Sequence, residues 1–310
     1  MTPFFLHIPK TAGSSIRTLI TLNYASGEVA SIYGDFQGVF SQCARLVGRT
    51  AGYRLIQGHI PYGSHLSLGL REARYYFFLR NPVDRHFSDV AHALRDPTHG
   101  FHSQVASPEA TLQTWATLGD QAIFFRNTTT HYLSGVFFSR EVDLTDFHRA
   151  ARVVLESTFL GLAERFNESV LLMARQLTWS HVIYEKRNVA PNPIDWLMTP
   201  EMRSACESRL TYDLALYEIA RDRFERDARR HGTHLQEAAR PLEELVAIQS
   251  QAFPELEHSE YLVGDPVPTQ NPPGRVIPAD SPLGRWLRPG TGGHPPTTRG
   301  GQTDLAPLTT

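Results

Sequence analysis

A few cations and histidines carry the chemistry that this sequence could perform. The chain's 30 basic residues include only two lysines, Lys10 and Lys186, so the two places that use a compact ammonium instead of a guanidinium stand out. Lys10 lies in Pro9-Lys10-Thr11-Ala12-Gly13-Ser14-Ser15. Small residues at Ala12 and Gly13 let an anion approach the backbone, Thr11, Ser14 and Ser15 add hydroxyls, and a following helix would point its N–H groups at the same spot. This is the composition of a phosphate cradle, although a small-residue turn with a solvent-facing lysine would read the same. The order differs from a Walker A loop, where the glycines precede the lysine. A second anion-binding set is Arg80 and Ser88 in Leu79-Arg80-Asn81-Pro82-Val83-Asp84-Arg85-His86-Phe87-Ser88. An arginine fork grips a phosphate directionally, but Arg80 paired with Asp84, and Ser88 as an ordinary helix residue, is the plainer reading of that stretch alone. Histidine suits proton abstraction near neutral pH. Fourteen compete, so placement must select among them, and His59 ends an apolar run in Gln57-Gly58-His59.

The elements that must position these groups follow from periodicity. Phe4 to Ile8 is a short apolar run stopped by Pro9, and Ser14 to Tyr24 spaces Ile16, Leu19 and Ile20 as a helix does, which gives strand, tight turn, helix. Tyr53–Gln57 and Arg74–Leu79 read as further strands, and a helix starts at or just after Pro82 and runs towards Leu94. Helices are expected from Ser107 towards Leu118, over Gln121–Leu133 and over Thr145–Glu156, and a strand over Phe159–Leu162. Asn167 is expected to cap a helix through Leu177, and Thr199-Pro200-Glu201 to open a helical stretch to about Arg230. Short strands alternating with helices imply an α/β layer fold, with ligands at the carboxyl edge of the sheet.

Composition bounds the rest. With 41% hydrophobic and 20% charged residues, the chain is of ordinary globular type. A net charge of −2 argues against bulk nucleic-acid binding. Cys43 and Cys206 show no metal-ligand spacing or disulfide framework and read as two free buried thiols, a single long-range bridge being the other option. No Cys/His cluster points to a metal. The apolar start at Phe4 is too short for a signal peptide and no run is long enough for a bilayer, so a cytoplasmic protein is expected. After Pro254, Pro, Gly, Thr and Ser dominate.

His7-Ile8-Pro9-Lys10-Thr11-Ala12-Gly13-Ser14-Ser15 resembles the 5′-phosphosulfate loop of the sulfotransferases that use PAPS (3′-phosphoadenylyl sulfate). The similarity is to the Golgi-type, heparan sulfate 2-O-like carbohydrate O-sulfotransferases and their bacterial relatives. Arg80-Asn81-Pro82-Val83-Asp84-Arg85-His86-Phe87-Ser88 is similar to that family's 3′-phosphate motif, Arg-Asp-Pro-x-x-Arg-x-x-Ser, with Asn81 where aspartate is usual. The resemblance implies that Lys10 contacts the bridging oxygen of the phosphosulfate, that Thr11, Ala12, Gly13, Ser14 and Ser15 hold the 5′-phosphate, and that Arg80 and Ser88 hold the 3′-phosphate. Arg85 matches the pattern and has a structural role as its alternative. His59 matches the family's Gly-His segment and would be the general base, with His65 a weaker candidate and His7 packing beneath the loop. The 2-O-sulfating branch often has a second histidine where this chain has Gln57.

Three later segments also resemble the family: Asn127 to Gly135, with His131 in place of an arginine; Phe159 to Phe166, read as core and helix entry; and Glu185-Lys186-Arg187-Asn188-Val189, similar to a basic loop that closes over the nucleotide and brings Lys186 and Arg187 to the donor. The implied fold is the P-loop-NTPase-like three-layer α/β fold, a central, mostly parallel sheet flanked by helices. The implied reaction is metal-free transfer of a sulfuryl group from PAPS to a hydroxyl of a carbohydrate, glycolipid or other acceptor, leaving PAP (adenosine 3′,5′-bisphosphate). The alternatives are a P-loop nucleotide kinase and a non-catalytic PAP- or nucleotide-binding protein of the same fold. The expected organisation is a sulfotransferase domain over 1–235, a helical extension over 236–262 and a disordered tail over 263–310. Acceptor specificity is expected from 25–52 and 96–119.

Overall fold

The computed structural model describes residues 1–34, 36–97, 102, 126–184, 199–252, 277 and 280–288. A five-stranded sheet of order β2-β3-β1-β4-β5 forms its centre, built from β1 (Thr2–Leu6), β2 (Val29–Ile32), β3 (Leu55–Gly58), β4 (Ala73–Leu79) and β5 (Phe159–Leu162). Every pairing is parallel; Leu6 lies opposite Gly58 on one side and Phe77 on the other. Helices α1 (Gly13–Asn23), α2 (Phe36–Leu46), α3 (Ser64–Ser67), α4 (Pro82–Arg95), α5 (Thr128–Ser134), α6 (Leu144–Glu156), α7 (Phe166–Leu177), α8 (Pro200–Glu207), α9 (Thr211–Arg229), α10 (Gly232–Ala252) and α11 (Pro282–Leu287) flank it. This is the expected α/β architecture of a central parallel sheet between helices.

The central strands read as apolar runs because both their faces are covered. Phe4, Phe5 and Leu6 on β1, and Tyr76, Phe77 and Phe78 on β4, are all buried. The β1-to-β2 connection runs one way across the sheet, while those from β2 to β3 and β3 to β4 run the other. The right-handed crossover rule then sets α1 on one face and α2 with α3 on the opposite face. The strand order reverses at β1, so a crevice opens at the carboxyl end of this strand.

Behind that edge, two helices cap each other. The Asn127 side chain accepts from the backbone N–H groups of Tyr212 and Asp213 (3.0 and 3.1 Å) at the start of α9. The Asp213 carboxylate accepts from the N–H groups of Thr129 and Thr130 (2.9 and 2.8 Å) and from the Thr130 hydroxyl (2.8 Å) at the start of α5. Each end thus satisfies N–H groups the other helix leaves unpaired.

Several sequence expectations need correction. Strand β2 lies inside 25–52, where loops and helices were expected. Asn167 caps nothing: a 3-10 turn over Ala163–Arg165 starts the helix earlier, and the Asn167 side chain accepts a 2.6 Å bond from the Tyr184 hydroxyl. The boundary at 235/236 falls within α10, whose Leu235, Ala238, Leu242 and Val246 belong to the main hydrophobic core. Within the tail expected to be disordered, Ser281 caps α11, Leu283 and Trp286 join the same core, and the Trp286 indole donates to Leu171 O at 3.1 Å. Cys43 and Cys206 are free and buried, as expected. The helices expected from Ser107 and before Asn127, the loop with Lys186 and Arg187, and the chain after 288 lie outside the described residues.

Candidate active site

The parallel sheet delivers its strand ends to one edge. The loop after β1 carries His7 and Lys10, β2 runs into Tyr33, β3 into His59, and β4 into Arg80. The first loop is bent by two non-glycine residues in left-handed conformation, Lys10 (φ 65°) and Ala12 (φ 67°). Such strain persists where the surroundings enforce it and concentrates at functional sites. The buried Thr11 hydroxyl donates to Ile8 O at 2.8 Å and ties the turn shut. Its proton therefore belongs to the loop, and Thr11 would serve an anion through its backbone N–H, not its side chain. Ala12 stands at the N-cap of α1 with no side-chain cap, and no carboxylate lies in the first turn, so the helix N-terminus keeps its positive end towards the crevice.

Gly13 is required for a packing reason. A Cβ there would overlap the His7 ring, so His7 lies against the first turn of α1, under the loop as expected. Gly58 is required as well, because a Cβ would run into Ile32 O; that close approach lets the next residue, His59, donate its N–H to Ile32 O at 3.0 Å.

His59 and His7 stand with ring centroids 4.7 Å apart, and both face Tyr33 edge-on, at 4.9 and 5.6 Å. His7 Nδ1 and the Tyr33 hydroxyl share a 3.1 Å hydrogen bond. Burial lowers the His59 pKa to about 4; the charges of Arg17 and Lys10 push it the same way, and Asp89 pushes it up. Burial, His59, Arg17 and Lys10 hold His7 well below its ordinary value. Both rings are therefore neutral at pH 7, the protonation state that an imidazole base requires. Sequence reasoning missed Tyr33, Arg17 and Asp89. Arg17 stacks its guanidinium 4.8 Å from the centre of the Tyr33 ring.

The neighbouring strand end is built differently. Asn81 caps α4: its side chain accepts from Val83 N and Asp84 N (3.0 and 3.3 Å), with Pro82 in the first turn. Its own N–H donates to Glu164 Oε1 at 2.6 Å. Asparagine caps as well as aspartate, so its presence at this position keeps the turn. Arg80 is half-buried at the strand end, and Ser88 is half-buried in the second turn of α4. Arg85 is fully buried, donates to Thr128 Oγ1 at 2.9 Å and lies 3.7 Å from Asp89, so its role is structural.

The other candidates lie elsewhere. His65 Nδ1 and the Tyr75 hydroxyl are 2.6 Å apart, and His65 packs against Phe4 in mid-strand, away from the edge. His131 is buried, accepts from Phe138 N at 3.3 Å, stacks on Phe138, and has its pKa pushed down to about 4 by burial. A neutral core histidine thus occupies the position where the resembling family has a charge. Gln57 is buried and donates to Ser31 Oγ at 3.1 Å, filling the place of a second histidine. Among the described residues no cluster of His, Cys, Asp and Glu could hold a metal, and no helix is long and apolar enough to cross a membrane.

Comparison with known proteins gives one kind of likeness. No protein-family model and no curated protein matches the chain. Among solved structures it is similar to mouse sulfotransferase SULT7A1 complexed with PAP, at 12% identity and a TM-score of 0.26, over 78% of this chain and 88% of that one. At that distance, the functional reading rests on the residues of the chain itself.

Proposed function

We propose that this protein is a PAPS-dependent O-sulfotransferase. The observation that carries the reading is the meeting, at one sheet edge, of the uncapped α1 loop with Lys10 and a neutral His59 close enough to feel the charges of Lys10 and Arg17. A phosphosulfate in the loop would set its 5′-phosphate on the N-terminal amides of α1. Arg80, with Ser88, would hold the 3′-phosphate, and on the family resemblance Lys186 and Arg187 would contribute contacts to the donor. His59 takes the proton of the acceptor hydroxyl as its oxygen bonds to sulfur. The bond from sulfur to the bridging oxygen breaks, its electron pair leaves on the 5′-phosphate of PAP, and Lys10 stabilises that charge. Charge development is met by an ammonium, a guanidinium and a helix terminus, so the step as drawn uses no metal.

A base of pKa about 4 is weak, chiefly through burial, and the donor acts on one of the smaller causes. An anion seated against Lys10 would offset one of the charges that depress His59, a change in the direction of a stronger base. We take the acceptor to be a carbohydrate or glycolipid hydroxyl, on the family resemblance of the loop, and Gln57 argues against the 2-O-sulfating branch. Transfer of radiolabelled sulfate from PAPS to a panel of glycans, glycolipids and small alcohols tests the reading. Labelled product that disappears in His59→Ala is expected; a variant that transfers as fast as the parent would remove His59 from the role of base.

A further inference from the structure

Tyr33 and Arg17 belong to none of the anion-binding motifs, yet they enclose the proposed base. Tyr33 follows β2 directly and is buried. One partner of its ring is the Arg17 guanidinium, 4.8 Å from the centroid, a distance at which cation–π attraction operates. The His59 ring meets it edge-on at 4.9 Å, and His7 bonds its hydroxyl. Arg17 makes no ion pair among the described residues, so its charge is not spent on a carboxylate. It sits one turn into α1, above Gly13, where the His7 ring packs.

We propose that Arg17 and Tyr33 are positioning residues for His59: the guanidinium fixes the Tyr33 ring, and the ring fixes the imidazole. The proposal deepens the sulfotransfer reading and rests on it for the role of His59. The groups that face His59 are His7 and Lys10 from the loop after β1, Arg17 from α1, Tyr33 from the end of β2 and Asp89 from α4.

The test is an NMR titration of the His59 imidazole in the ligand-free protein, together with PAP calorimetry and the pH dependence of kcat/KM. Arg17→Gln is expected to raise the His59 midpoint by at least about half a pH unit and to move the acid limb of kcat/KM upward with it. It should lower kcat about tenfold or more through loss of orientation and leave PAP affinity within about threefold. Arg17→Lys returns the midpoint, because the charge returns, but not the full kcat, because the planar stack does not. Tyr33→Leu, which removes the ring, should fall with Arg17→Gln. An unmoved kcat in Arg17→Gln and in Tyr33→Leu would overturn the proposal. Absence of sulfate transfer by the parent protein would sink the reaction reading instead, and the titration in the ligand-free protein separates the two failures.

Discussion

The strand-loop-helix unit occurs twice at the candidate site, and the two copies handle their helix N-termini in opposite ways. After β1, the loop is forced through positive φ at Lys10 and Ala12 and enters α1 with no side-chain cap. After β4, Asn81 caps α4 with its own side chain and Pro82 occupies the first turn. The first unit leaves its helix terminus without a side-chain cap, whereas Asn81 occupies that of the second, where an anion would have to bind through side chains. A backbone site is broken by changing shape, and a side-chain site by removing one group. Substitutions in the two units should therefore fail differently.

The largest expected effect falls on transfer itself. His59→Ala should lower kcat by about 10²–10⁴-fold, the usual contribution of a positioned base, with PAP affinity unchanged by calorimetry. Lys10→Ala should lower it by about 10²–10³-fold, as loss of a group that meets developing charge does. In the first unit Gly13→Ala should abolish PAP binding together with transfer, because the new Cβ occupies the place of the His7 ring. Crystallography of that variant should find His7 displaced.

In the second unit Arg80→Ala should weaken PAP by about 2 kcal/mol, the scale of a hydrogen bond to a charged group, and leave affinity for AMP, which lacks the 3′-phosphate, nearly unchanged. Asn81→Ala should instead cost about 0.5–2 kcal/mol of stability in urea denaturation, as a lost cap does, with PAP binding retained. Asn81→Asp should be near neutral. If Arg80→Ala weakened AMP and PAP equally, the division between the two units would be wrong.

A smaller effect concerns pH. His7, His59 and His131 are held below the ordinary histidine value in the fold. The unfolded chain therefore binds protons more readily below about pH 6.5, down to the folded values, about 4 for His59 and His131. Their contribution to stability is complete above about pH 6.5 and is lost as pH falls through the folded values. The urea midpoint should accordingly be lower at pH 5 than at pH 7.5, and less so in a His131→Phe variant. PAP binding should raise the His59 midpoint in an NMR titration, because the anion offsets Lys10.

How far the sequence can be read follows the same physics. β1 and β4 are legible because a strand buried on both faces must be apolar throughout, as Phe4 to Leu6 and Tyr75 to Leu79 are. Lys10, His59 and Arg80 are legible because each ends or follows such a run. β2 is not, since Val29-Ala30-Ser31-Ile32 is four residues long with a serine inside, and it is a strand through its pairing with β3. Tyr33 was lost along with β2. Arg17 is one arginine on an amphipathic helix, and only the fold shows that it lies over a ring brought from another strand. Asn167 carries the type of a cap, but a turn three residues earlier decides where the helix starts. Trp286 and Leu283 sit in a stretch of tail-like composition, where a single capped turn with two large apolar groups is enough to dock.

The most direct measurement is calorimetry of the parent protein and Arg80→Ala with PAP, AMP and ATP, with and without Mg²⁺. The parent should bind PAP more tightly than AMP or ATP, without a requirement for Mg²⁺, and Arg80→Ala should lose that preference over AMP. Mg²⁺-dependent binding of ATP in preference to PAP would contradict the account and favour a nucleotide kinase.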